Sequence, residues 1–475
     1  MNYKKISQTF LYNSSFHYLI STFFQQGIVF LTIPIFTRLL SLEEYGYLNI
    51  FQTLLNILIV FSSLGIRGTI VRYYHDKKIK FDTFISTNLL FLIVYNFFFI
   101  SMIFLIRNTI SEFFKIPEKL VYLTAIAATF STFLWFHLSY LQAKASSLKY
   151  ASISIISSFF INGTAIIFVL YLNDEKYYGK VYAQIFIGLV IFVLIFRSLI
   201  KEFGTNYNFH SVLEALKFGI PLLPHMLSGF ILAFFDRIII NQLVNAQATA
   251  IYSLAYNIGM IVHVVVMSLN KTWSPFFYKE LNEARYEKIN IKAKLHSKHV
   301  TFASFFLVLL STELLKVLAP SSYSEGLILI PIIVLSYNFL FLYTLFSSYS
   351  FYRKKTYLIS IGTIIAMIVS VSLNYTLMPM FGYQIAAFIT LFTYIVLFGV
   401  HYLNAKYILR EVYTIPLNKI LLNCFVVFVI AGLESSFHYF DLKFKYYTIL
   451  RYILLIIITY SLYKRDVMNY LKSVI

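Results

Sequence analysis

The chain has 475 residues, of which 59% are hydrophobic, 19% aromatic and 12% charged, where a soluble domain carries roughly 25% charge. Soluble cores cannot hide that much apolar side chain, so a water-soluble enzyme, a disordered chain and a disulfide scaffold are excluded; the single cysteine, Cys424, also excludes an internal disulfide and a cysteine-based zinc site. The net charge of +19 would suggest nucleic acid in a soluble protein, and its distribution along the chain decides.

A hydrocarbon core about 30 Å thick takes roughly 20 apolar residues of helix. That window predicts about fourteen spans, at 17–40, 45–66, 83–106, 120–141, 150–172, 179–200, 216–243, 248–270, 298–319, 326–350, 357–377, 382–405, 419–434 and 446–463. The span at 419–434 is short, which leaves twelve spans plus a re-entrant pair as an alternative. Backbone groups in lipid must be paired internally, and the runs are too long for membrane β-strands. The expected fold class is therefore an all-α polytopic membrane protein. The first run passes about twenty residues without a small-residue cleavage site and is expected to remain as the first helix.

With the N-terminus inside, the inner connections hold most of the bases: Lys4 and Lys5, the cluster from Arg67 through Arg72, Lys77 and Lys78 to Lys80, Lys144, Lys149, Arg197, Lys201, Lys217, the run from Lys271 to Lys298, Arg353 to Lys355, Lys406, Arg410, Lys419, Lys464, Arg465 and Lys472. The outer connections hold few, among them Arg107, Lys115, Lys176, Lys180, Lys443 and Lys445. Acids divide evenly, and a bias confined to bases is the positive-inside pattern. Both termini are thus expected in the cytoplasm, and the charge reports topology rather than nucleic acid. The longest connection, about 271–297, contains the polar segment Pro275 to Ala293, expected as an interfacial amphipathic helix.

The halves look related. Phe36-Thr37-Arg38 is similar to Phe235-Asp236-Arg237, each near the outer end of the first helix of its half, and Arg72-Tyr73-Tyr74 aligns with Phe276-Phe277-Tyr278. Six spans separate them, so the halves enter the membrane in the same direction, as a parallel repeat. The expected organisation is an N-terminal lobe at 1–210, a second six-helix lobe at 211–410 and two additional spans at 411–475.

Ionisable residues inside spans are costly, by about 2.5–3.5 kcal/mol on insertion scales, and usually face a cavity or a partner. Arg38 and Arg237 are candidate contacts for an anionic cargo, with snorkelling to the outer interface as the alternative. Arg67, Arg72 and Lys271, at the inner mouths of their spans, are candidates for a phosphorylated headgroup or plain topology charges. Asp236 is a candidate for coupling or for a structural ion pair. Pro221 and Pro224 remove amide donors from one span and mark either a gating bend or a packing kink. His225 and His263, in neighbouring antiparallel spans, can titrate near neutral pH or simply be hydrogen-bonded. Glu313 and Lys316, one turn apart, read as a local pair. His296 and His299 lack further ligands, so no metal site is expected, and no catalytic constellation is visible.

The stretches Pro34-Ile35-Phe36-Thr37-Arg38-Leu39-Leu40 with Glu44-Tyr45-Gly46, Phe218-Gly219-Ile220-Pro221-Leu222-Leu223-Pro224, Phe235-Asp236-Arg237-Ile238-Ile239-Ile240 and Ala250-Ile251-Tyr252-Ser253-Leu254-Ala255-Tyr256-Asn257-Ile258 resemble polysaccharide-export flippases, the Wzx O-antigen type of the multidrug/oligosaccharidyl-lipid/polysaccharide exporter superfamily. Ala246-Gln247-Ala248-Thr249-Ala250 departs from it, since glycines are common there in the family. The resemblance implies a MATE-like two-lobe fold, alternating access, no enzymatic activity, and a cargo of oligosaccharide on undecaprenyl pyrophosphate in the bacterial inner membrane. It implies no cofactor beyond proton or sodium coupling, and membrane lipids, a polysaccharide polymerase and chain-length proteins as partners. A multidrug or cation antiporter of the same superfamily is one alternative; it would need coupling acids that spans 1–6 lack away from their ends. A membrane-embedded polymerase or glycosyltransferase is the other, and the short outer loops argue against it.

Overall fold

The computed structural model describes residues 3–74, 80–203, 207–411, 415–439, 449–457 and 459–460. Among them the secondary structure is helical throughout. Twelve helical segments are long and apolar enough to cross a membrane, and a bent pair, Tyr286–Leu309 with Ser311–Leu318 at 63°, adds a broken thirteenth. The chain is a multi-pass α-helical membrane protein. The fourteenth expected span, 446–463, lies partly outside the described residues; its described parts are helical. The bases Lys77, Lys78, Lys443, Lys445, Lys464, Arg465 and Lys472 also fall outside them.

The chain divides into two compact units, Met1–Thr249 and Ala250–Ile475. The first contains α1 (Tyr3–Leu39), α2 (Leu42–Ser63), α3 (Ile66–Tyr74), α4 (Phe81–Leu105), α5 (Arg107–Phe114), α6 (Glu118–Ala143), α7 (Ser147–Tyr171), α8 (Tyr178–Phe203) and α9 (Phe209–Leu243). Two apolar clusters hold it together. One joins Phe51 and Leu55 of α2 to Leu120 and Val121 of α6, Val181 of α8 and Ile238 of α9. The other joins Ile66 and Ile70 of α3 to Phe84 of α4, Phe136 of α6, Leu199 of α8 and Ala215 of α9.

Lipid offers no hydrophobic drive between helices, so polar contacts and close approach matter more here. Asn96 of α4 supplies one such knot. Its Oδ1 accepts from Ser62 Oγ of α2 at 2.5 Å and from Thr129 Oγ1 of α6 at 3.0 Å. Its Nδ2 donates to the Ser62 carbonyl at 3.1 Å, and Thr132 Oγ1 donates to Ser62 Oγ at 2.9 Å. At the start of α2, Ser41 and Glu44 form a reciprocal capping box.

In the second unit α10 (Ala246–Asn282), begun four residues earlier in the chain, leads to α11 (Tyr286–Leu309), α12 (Ser311–Leu318), α13 (Leu329–Tyr352), α14 (Tyr357–Phe381), α15 (Ile385–Leu403) and α16 (Leu417–Tyr439). Nearly every residue of α13 is buried, as expected of a helix apolar on all sides. The separate interfacial helix expected at Pro275 to Ala293 does not form. α10 stays helical through Pro275 to Asn282, and a short turn leads into α11 at Tyr286. Packing on both sides of the proline holds the helix: Trp273 Nε1 donates to Ser348 Oγ at 3.0 Å, and Phe277 meets the Tyr349 ring at 4.9 Å. Glu313 of α12 also has a partner beyond the local one expected: its Oε1 accepts from Arg451 Nη2 at 2.5 Å across a sequence gap that no periodicity reveals.

Candidate functional site: a polar cavity in the first unit

Inside the first unit, α1, α2, α6, α7 and α8 surround a cavity of about 210 Å³. Its polar lining follows helical spacing. Gln52 and Asn56 lie one turn apart on α2, Ser131 and Trp135 one turn apart on α6, and Lys180 and Gln184 one turn apart on α8. α7 adds Ser154, Ser157, Ser158 and Asn162, and α1 adds Gln25. Residues three or four apart share one helix face, so each helix turns a polar stripe inward and an apolar face away. Among the apolar positions facing away, Phe159 and Phe160 of α7 and Val193 and Leu194 of α8 are exposed, as contact with acyl chains requires.

Lys180 is the ionisable residue of this lining. It is 9% exposed, its Nζ donates to Asn162 Oδ1 at 2.7 Å, and the Phe36 ring centroid lies 5.9 Å away. Asn162 is held in turn by its Nδ2, which donates to the Ser158 carbonyl at 2.7 Å. One turn further along α8, Gln184 Nε2 donates to Ser131 Oγ of α6 at 3.1 Å, and Ser131 donates to the Ala127 carbonyl at 2.7 Å. The result is a pre-oriented set of amides, hydroxyls and one ammonium around a small hollow, suited to a hydroxyl-rich guest.

The residues singled out in sequence distribute differently. Arg67 reaches the edge of this site, with its guanidinium 4.8 Å from the ring centroid of Trp135. Arg72 is exposed on α3 and lies 4.5 Å from the Phe218 ring of α9. Arg38 is exposed near the end of α1, where Nη1 donates to the Pro34 carbonyl at 2.9 Å. Arg237 is buried in α9 against the Phe234 ring at 5.0 Å. Asp236 is buried beside it and accepts from the Arg237 backbone N–H at 2.9 Å. The neighbouring Asn241 binds the Phe114 and Lys115 carbonyls at 2.8 and 3.0 Å. Pro221 and Pro224 are exposed within a continuous α9, and His225 is half-buried there. In the second unit, Lys271 is exposed on α10 and His263 lies 5.5 Å from the Tyr337 ring.

Its charge assigns Lys180 to an outer connection, and the uncharged lining carries no charge signal at all. The signal was present: Ser154, Ser157, Ser158 and Asn162, then Lys180 and Gln184, are polar at three- and four-residue steps inside apolar spans.

A model of the polysaccharide biosynthesis protein family matches residues 11–280. Two relatives come from Haemophilus influenzae. Protein 1 of the Lsg locus is 24% identical over 285 residues, 58% of this chain and 68% of that protein. An uncharacterized membrane protein is 22% identical over 273 residues, 56% of this chain and 65% of its own length. The present chain thus spans about two thirds of each. Among solved structures, the lipid II flippase MurJ in an inward closed conformation superposes with a TM-score of 0.70 at 16% identity, covering 94% of this chain and 99% of that one. The Vibrio cholerae MATE transporter VcmN superposes at 0.59 and 14% identity, covering 86% and 98%. The fold is the one shared by MurJ and the MATE transporters, as the sequence motifs implied. With more than half of its length matched, the chain belongs to the polysaccharide biosynthesis protein family.

Proposed function

We propose that the chain is a flippase that carries an oligosaccharide on undecaprenyl pyrophosphate, an O-antigen or related repeat unit, across the bacterial inner membrane. The observation that carries this reading is a polar cavity within a bundle of membrane spans. A sugar crossing lipid must exchange its water for other hydrogen-bonding partners, because an unpaired polar group in an apolar medium costs several kcal/mol. Amides and hydroxyls facing a hollow meet that need, while the polyprenyl tail stays in lipid. Membership of a polysaccharide biosynthesis family and a fold shared with a lipid II flippase support the same reading.

In this proposal the termini face the cytoplasm, the lobes at 1–210 and 211–410 alternate access, and residues 411–475 flank them. Arg38, Arg237, Arg67, Arg72 and Lys271 contact the pyrophosphate, Pro221 and Pro224 permit the bend, and Asp236, His225 and His263 are the groups available for ion coupling. A polymerase and chain-length proteins would act downstream. The fold shared with VcmN favours a multidrug antiporter as a second reading; the cavity lining, which holds a lysine and no carboxylate, weighs against a cationic cargo. The deciding experiment is reconstitution in vesicles with a defined lipid-linked glycan, with and without an ion gradient. Translocation of the glycan supports the flippase; export of cationic dyes without glycan transfer would overturn it.

A further inference from the structure

We propose that the cavity of the first unit is a subsite for one sugar ring bearing a carboxylate, and that Lys180 is the residue that selects it. The proposal rests on the flippase reading and names the cargo class that reading leaves open.

The first argument is charge. Burying an ammonium is costly unless a counter-charge or several acceptors compensate. Lys180 is 9% exposed and has one hydrogen-bond acceptor, Asn162 Oδ1 at 2.7 Å. Among the described residues no carboxylate lies within ion-pair distance of it. An ammonium has three donors, so donor capacity remains at the wall of a hollow. An anion in that hollow completes the site.

The second argument is composition. A pyrophosphate brings two or more negative charges and calls for several cations. This lining offers one ammonium among uncharged groups, notably Asn56, Gln52, Ser157 and Gln184, with Arg67 only at its edge beside Trp135. Amides and hydroxyls both donate and accept, which suits sugar hydroxyls, and Trp135 supplies an apolar plate for a ring's C–H edge. The third argument is size. A hollow of about 210 Å³ far exceeds the roughly 10–15 Å³ that one water needs on the same measure, which leaves room for a sugar ring. The rest of the glycan would lie outside this pocket.

The test uses the full chain purified in detergent and titrated calorimetrically with a uronic-acid disaccharide, its methyl ester, and inorganic pyrophosphate as separate probes. The expected result is that the uronate binds roughly tenfold or more tighter than the ester. Lys180→Met removes that preference while retaining ester binding, and Lys180→Arg keeps part of it. Equal affinity for acid and ester, or a preference that survives Lys180→Met, overturns the proposal. Pyrophosphate binding that depends on Lys180 without uronate binding also overturns it and assigns the ammonium to the lipid carrier. Thermal melts of each variant show that binding is read from folded protein. Translocation of a neutral glycan by the Lys180→Met variant in vesicles would leave the flippase reading standing whatever the uronate result. Uronate binding without any translocation would sink the flippase reading alone.

Discussion

Gly219 of α9 packs on the turn between α2 and α3 so closely that a Cβ there would fall on the Leu64 carbonyl oxygen, and a Cβ on Gly65 would fall on the Gly219 carbonyl oxygen. Two glycines thus let two backbones touch. Gly65 also sits at φ +69°, a region that costs a side chain roughly 1–2 kcal/mol. The crossing lies just before Pro221 and Pro224, so α9 is pinned where its amide ladder is interrupted.

Gly219→Ala should therefore destabilise by about 1–3 kcal/mol, the usual cost of forcing atoms into a filled space. Gly65→Ala should cost more, because backbone strain adds to the overlap. Gly68→Ala is the control, since its Cβ would meet only Leu222 Cδ1 at 3.5 Å. Thermal unfolding in detergent checks the order. Equal melting temperatures for Gly219→Ala and Gly68→Ala would contradict the close crossing.

The pair Lys180–Asn162 should show an asymmetry. Removing the ammonium leaves an amide still held by its donation to the Ser158 carbonyl. Removing the amide leaves a buried ammonium without its acceptor. Hydrogen bonds to charged groups are worth about 1.5–3 kcal/mol, and an uncompensated buried charge costs more than an absent pair. Asn162→Ala should consequently lower the melting temperature more than Lys180→Met, and the double variant should recover most of the loss. A double variant as unstable as Asn162→Ala would show that the ammonium is not the source of the cost.

How far the sequence reveals this protein depends on which physical signal is asked for. The spans are legible because lipid demands about twenty apolar residues in a row, and the described helices follow the expected runs from His17 to Leu39 through to Leu417 to Tyr439. The break at Leu310 is not legible, since neither glycine nor proline marks it and the bend belongs to tertiary packing. The cavity is half legible. Its stripes recur at helical steps, yet only the fold says that the stripes of α1, α2, α6, α7 and α8 face one another. Lys180 misleads because a base in the first turn of a span reads as a loop charge, whereas the fold buries it at the start of α8. Arg38 and Arg237 look equivalent by motif, but one is exposed and the other buried, a distinction the motif does not carry.

Asn96 ties α2, α4 and α6 through its side-chain bonds to Ser62 and Thr129. In membrane bundles such bonds average about 0.6 kcal/mol and reach about 1.7, because the unfolded chain in lipid finds other partners. Asn96→Ala should cost about 1–3 kcal/mol in total. Ser62→Ala should cost less, and the two together should cost less than their sum, since they remove shared bonds. Strict additivity in a double-mutant cycle would show that the three helices are held by apolar contact alone.

Arg451, buried at 2% exposure, joins the described part of the last helix to the broken span of the second unit. Its Nη1 donates to Thr312 Oγ1 at 3.0 Å and its Nη2 to Glu313 Oε1 at 2.5 Å. Tyr452 OH adds a bond to the same carboxylate at 3.3 Å. The two ends of the pair are unequal: the Glu313 side chain is 34% exposed and that of Arg451 only 3%. Deleting the acid takes a charged partner from a buried cation, whereas deleting the base leaves an acid that water can reach. Glu313→Ala should accordingly destabilise by about 3 kcal/mol, in the range for breaking a buried pair, and Arg451→Met by clearly less. Proteolysis after Arg451 should become easier in Glu313→Ala, because the last helix loses the charge that fixes it to α12. If Arg451→Met proves the more harmful of the two, Glu313 is not what balances the guanidinium.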